Sequence, residues 1–118
     1  MRGDALARPP ERRAHPRATA SLEASYEDAG GQLFLRTADL SLGGVFLIAP
    51  RPPPLGSTAR VLLEMPGDPV IHRLAGRVAR HQESPVPGFA VAFDPERLPD
   101  ATRDALHRFV ERLLSRAS

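Results

Sequence analysis

The chain has 118 residues and a mass of 12.8 kDa, enough for one domain with its own core. It has no Cys, which excludes a disulfide scaffold, a thiolate zinc site and a cysteine nucleophile. Net charge is only +2 and all 16 basic residues are Arg, so bulk charge does not mark a polybasic nucleic-acid binder; five Arg against Asp4 and Glu11 give residues 1–17 a net +3, and the remainder a net −1.

Residues 1–18 show neither a strand nor a helix period, and Pro9, Pro10 and Pro16 forbid a continuous helix because proline lacks the amide N–H and clashes with the preceding turn. This stretch is rich in Arg and has no apolar core of the kind a secretion signal needs. No apolar run in the chain approaches the ~20 residues that span a bilayer. A cytoplasmic protein without membrane insertion is therefore expected. Residues 1–10 are read as a flexible arm and residues 11–118 as a single domain.

From Thr19 the texture changes to alternation. In Thr19–Asp28, Leu22, Ala24 and Tyr26 share one face, with Glu23, Ser25 and Glu27 on the other. Ala29-Gly30-Gly31 is a turn signal, and Gln32–Leu40 completes a hairpin. Ser41–Gly44 breaks the run, and Val45–Ala49 is a short apolar strand. A proline-rich loop follows, then strands over Ser57–Met65, Val70–Gln82 and Gly88–Phe93. The one helix comes last. Leu106, Phe109, Val110, Leu113 and Leu114 form a stripe at helical spacing, and Asp100 after Pro99 is its expected N-cap. Six short strands and one terminal helix predict an all-β domain with a C-terminal α-helix: a small six-stranded antiparallel split β-barrel covered by the helix.

Nothing in the pattern supports catalysis. Glu27-Asp28 and Asp94/Glu96 fall at strand ends or turns, where acids are common. His15, His72, His81 and His107 have no metal-ligand spacing and read as surface or strand-face residues. No nucleophile elbow, phosphate loop or dinucleotide fingerprint occurs. No cofactor or metal is expected.

Two segments stand out. In Arg12-Arg13-Ala14-His15-Pro16-Arg17, three Arg crowd into six residues held extended by Pro16. Their planar guanidinium forks can grip phosphate, meet the O6/N7 edge of guanine and stack on its face. In Asp39-Leu40-Ser41-Leu42-Gly43-Gly44, an extended backbone would point Asp39 and Ser41 to one side. A carboxylate there can accept from guanine N–H groups, and Gly43 and Gly44 allow close backbone approach. Each segment also has a bland reading, a solvated basic arm and a β-turn.

Taken together, R-R-x-x-x-R (Arg12, Arg13, Arg17) followed by D-x-S-x-x-G (Asp39, Ser41, Gly44) resembles the PilZ family. The strand Gly88–Phe93 and the terminal helix also look like that family, and the resemblance covers roughly residues 11–114. It implies a receptor for the bacterial second messenger cyclic di-GMP. Arg13 and Arg17, assisted by Arg12, would grip phosphates and guanine edges. Asp39 and Ser41 would read a guanine edge, and Gly43 and Gly44 would let the backbone approach. Arg36 and Arg80 are further candidates by charge alone. Ligand would order residues 1–18 across the barrel, and a protein partner in trans would read the change, in motility, exopolysaccharide export or transcription. Monomer and homodimer are both compatible. Two other readings carry less. A nucleic-acid binder would need an aromatic platform, whereas Phe34, Phe46, Phe89, Phe93 and Phe109 sit in patterns that read as core. A ligand-free protein-interaction adaptor would not need the two motifs.

Overall fold

The computed structural model describes residues 16–117. Among these residues seven strands precede one helix: β1 (Ala18–Thr19), β2 (Glu23–Asp28), β3 (Gly31–Leu40), β4 (Gly44–Ile48), β5 (Thr58–Glu64), β6 (Ile71–Gln82) and β7 (Gly88–Phe93), then a 3₁₀ turn (Pro95–Arg97) and α1 (Asp100–Ala117). All pairings are antiparallel. The order is β1-β3-β2-β5-β6-β7-β4, and β4 pairs back onto β3. That last pairing closes six strands into a ring, so the expected six-stranded barrel with a terminal helix is present. β1 is an addition to it.

The alternation seen in the sequence places the core. Ala24 and Tyr26 on β2, Val61 and Leu63 on β5, and Phe89 and Val91 on β7 face inward and are buried. Tyr26 meets Phe89 edge to face, with ring centroids 5.1 Å apart. Its hydroxyl donates to Asp28 Oδ2 at 2.7 Å, and burial together with that bond raises the phenol pKa. Leu106, Phe109 and Val110 of α1 join the same core, which is why the helical stripe sits where it does.

Three features depart from the expected pattern. The predicted strand Thr19–Asp28 is two strands, because Ala20–Leu22 turns aside to bond β3. Ala20 N donates to Ala38 O at 3.2 Å and Thr37 N donates to Leu22 O at 2.9 Å. The buried Thr37 hydroxyl accepts from Leu22 N at 2.9 Å and donates to Ala20 O. Second, Phe34 is not core: it is 79% exposed, whereas the other four Phe are buried. It shares strand parity with Gln32 and Arg36 and pairs with Ser25, all on the outer face. Third, His72 lies on the inward parity of β6 and is only 7% exposed. Its Nε2 sits 2.9 Å from Asp68 Oδ2 and its Nδ1 3.0 Å from Thr102 Oγ1, so it ties the β5–β6 turn to the first turns of α1.

The barrel is tight enough to demand glycine. A Cβ on Gly88 would lie 2.2 Å from Leu47 O and 2.7 Å from the Phe46 ring. Gly88→Ala is expected to cost about 1–3 kcal/mol, the range for forcing atoms into a filled site, and to lower Tm by several degrees in a thermal melt. The His72 tether makes a second prediction. The hydrogen bond with His72 lowers the Asp68 pKa below its ordinary 3.8. A lowered folded-state pKa adds stability above the unfolded pKa, which is lost as pH falls through the folded value. Urea melts should therefore show Asp68→Asn less stable than wild type at neutral pH, with the gap closing below about pH 4.

Candidate functional site

A strand side chain reaches only the face its parity allows, and one extra residue reverses that parity. Two such bulges shape this site. On β3, Thr37 pairs with Leu47 but Asp39 pairs with Phe46, so Ala38 is the extra residue. On β6, Val78 pairs with Val91 but Arg80 pairs with Ala90, so Ala79 is extra. Were the strands to run on without these register shifts, Ala38 and Ala79 would take those partners and Asp39 and Arg80 would fall on the core-facing parity. With them, both point outward. Phe46 also pairs with Ala90, and Thr19 with Asp39. One row of paired residues thus runs Thr19, Asp39, Phe46, Ala90, Arg80 across five strands.

Arg17 joins that row from the chain just before β1. Its Nη1 donates to Asp39 Oδ1 at 2.7 Å, with the two side chains 26% and 30% exposed. The Arg80 guanidinium lies 5.8 Å from the Phe46 ring centroid, a cation–π contact. Two adjoining hollows result. One, of about 490 Å³, is lined by Arg17, Thr19, Asp39, Phe46, Arg80 and Gln82, among others. The other, of about 360 Å³, is lined by Arg17, Ser41, Gly43, Gly44 and Arg80 with neighbouring β7 backbone. Arg17 and Arg80 belong to both.

The Ser41–Gly44 turn has its own logic. Ser41 N donates to Gly44 O at 2.9 Å, and Ser41 Oγ accepts from Gly43 N and Gly44 N at 3.1 and 3.2 Å. Ser41 is buried, with its hydroxyl engaged within the turn rather than presented alongside Asp39. Gly44 pairs with Ala92, and a Cβ there would lie 2.5 Å from Val91 O. Its missing side chain serves the approach of β7.

The sequence-expected residues therefore divide. Arg17 and Asp39 are in direct contact, and Ser41, Gly43 and Gly44 line the adjoining hollow. Arg12 and Arg13 lie outside the described residues. Arg36 is not part of the site: it bonds Ser21 Oγ at 3.1 Å and lies 3.6 Å from Glu23. Arg80, raised on charge alone, is in the site, as are Phe46 and Thr19, which carried no signal of their own. The expected ordering of residues 1–18 is narrowed as well, since Ala18–Thr19 already pairs with β3 and Arg17 already holds Asp39. Among the described residues, no three His, Asp or Glu side chains gather in a way that could hold a metal ion. Nor is any helix there long and apolar enough to cross a membrane.

A family model of the PilZ domain matches residues 11–112, nearly the whole chain. The chain belongs to the PilZ domain family. No curated protein matches it. Among solved structures, the chain resembles the PilZ domain of YcgR from Escherichia coli, determined with c-di-GMP, at 17% identity and a TM-score of 0.69, covering 90% of this chain and 94% of that one. It resembles the Bacillus subtilis inhibitor of motility MotI/DgrA at 15% identity and a TM-score of 0.69, covering 90% of this chain and 51% of that one. It also resembles the Borreliella burgdorferi PlzA protein in complex with c-di-GMP at 18% identity and a TM-score of 0.65, covering 83% of this chain and 40% of that one. The chain thus spans about half or less of MotI/DgrA and PlzA.

Proposed function

We propose that this protein is a non-enzymatic receptor for cyclic di-GMP. The observation that carries the reading is the outward row in which Arg17, Asp39, Phe46 and Arg80 meet over two joined hollows. Membership of the PilZ family and the likeness to PilZ structures holding c-di-GMP support the choice of ligand.

The ligand carries two anionic phosphates and two guanines. Arg17 and Arg80 offer planar forks for phosphate or for the guanine O6/N7 edge, and either can stack on a base. Arg12 and Arg13 bring further charge from the preceding segment. Asp39 accepts from guanine N–H groups through the oxygen that Arg17 leaves free, and Arg17 fixes the carboxylate in advance. Ser41 holds the turn that presents Gly43 and Gly44 beside the ligand. Arg17 to Thr19 are already seated, so they meet the ligand in place.

The output runs through β1. Thr19 lines the ligand hollow and also a groove against Phe109, Arg112 and Leu113 of α1. A ligand pulling on Arg17 and Asp39 displaces that shared wall, and a protein partner in trans reads the altered surface. Motility control is the favoured process, on the likeness to an inhibitor of motility.

Titration calorimetry with cyclic di-GMP tests the reading. Wild type should bind with measurable heat at moderate salt, and Arg17→Ala and Asp39→Ala should each weaken binding about ten- to a hundredfold, the worth of one charge-assisted hydrogen bond. Arg80→Ala should lose less, about threefold to tenfold, as for a partly exposed cation–π contact. Affinity should fall as salt rises, because screening weakens the phosphate contacts. Absence of heat with wild type would sink the ligand claim and leave an adaptor of the same fold, and a gel shift with single-stranded RNA or DNA would favour a nucleic-acid binder.

A further inference from the structure

The outer face formed by β2, β3 and β5 bears apolar side chains where a barrel in water ordinarily bears polar ones. Phe34 stands out from β3 at 79% exposure, and Ile48 and Ile71 are exposed beside it. With Leu62 they line a trough of about 800 Å³. An apolar patch of this kind on a small domain marks an interaction surface.

The trough has a knob and a hole side by side. Ser25 pairs with Phe34 on one side and Leu62 on the other, so a small side chain lies between two large ones. The Ser25 hydroxyl oxygen accepts from Gln32 Nε2 at 2.6 Å, so covering it leaves that acceptor satisfied. Phe34 is the knob and the gap over Ser25 is the hole. A two-fold axis places the knob of one copy in the hole of the other and the converse in the same step, which is the condition for a self-complementary interface. Two sheets meeting face to face at the usual ~10 Å would interleave these side chains.

The rim charges suit the same arrangement. Arg36 is half exposed beside Glu23, while Glu64, also on the rim, has no ion-pair partner among the described residues. A two-fold pairing brings Arg36 of one copy near the partner's Glu64, so opposite charges face each other at that point of the rim. The same carboxylates, Glu23 and Glu64, would oppose an anionic lipid surface.

We propose that this chain forms a two-fold dimer through the face carrying Phe34, Ser25 and Leu62. The proposal stands apart from the ligand reading and is tested without ligand. Sedimentation equilibrium of the full chain, over about 1–500 µM, should show the mass moving from one chain toward two. Phe34→Lys removes the knob, and Ser25→Leu fills the hole. Each should weaken association at least about tenfold, with a thermal melt by circular dichroism confirming that the variant is folded. A wild type that stays monomeric throughout overturns the proposal. So does a dimer that survives both folded variants unchanged.

Discussion

Two alanines, Ala38 on β3 and Ala79 on β6, determine which side chains this protein can offer to a ligand. Each is the extra residue of a bulge, and each reverses the parity of everything after it on its strand. Flatten the β3 bulge in thought, so that Ala38 rather than Asp39 pairs with Phe46, and Asp39 turns into the barrel, where an unpaired carboxylate would be costly and would take a neutral form or unfold its surroundings. Flatten the β6 bulge, so that Ala79 takes Ala90 as its partner, and Arg80 does the same. The bulge on β3 is held from outside: the Ala38 carbonyl accepts from Ala20 N, and Thr37 fastens Ala20 and Leu22. The kink between β1 and β2 and the bulge on β3 are therefore one device. That device also delivers Arg17 to Asp39.

Ring closure is the second demand on the same residues. β3 must reverse and become β4 for the six strands to close, and it does so at Ser41–Gly44. Ser41 caps the turn, the Gly43 carbonyl accepts from Phe93 N at 2.9 Å, and Gly44 admits the β7 backbone. Asp-x-Ser-x-x-Gly is thus first a folding motif. Its presence argues that the barrel closes here, whereas the argument for an anionic, guanine-bearing ligand has to rest on Arg17, Asp39 and Arg80. The two roles are compatible, because a turn held this firmly also fixes Asp39 two residues upstream.

These facts explain what could be read from the chain and what could not. All six barrel strands and the helix were legible, since each has several residues at a consistent period. β1 was not, because Ala18–Thr19 is too short for any period and directly follows Pro16. Phe34 misled because β3 has large apolar residues at both parities, Leu33 and Leu35 as well as Phe34, and only the pairing with Ser25 tells inside from outside. Arg17 and Asp39 were found through their spacing in two motifs. Arg80 could be raised by charge alone and Phe46 not at all, because their place depends on a register shift and on strand neighbours far away in sequence. An alanine that makes a bulge looks like any other alanine.

β3 finally explains why one small barrel can present two different surfaces. Before the bulge its outward residues are Gln32, Phe34 and Arg36, over the apolar trough. After it the outward residue is Asp39, in the charged row. A strand of uniform parity would have run a single outer stripe from one end to the other. The bulge breaks that stripe and bends the strand, which separates an apolar face from a charged one along ten residues. Both faces are anchored to the same rigid pairing with β4: Arg36 to Ile48 at the trough and Asp39 to Phe46 at the site.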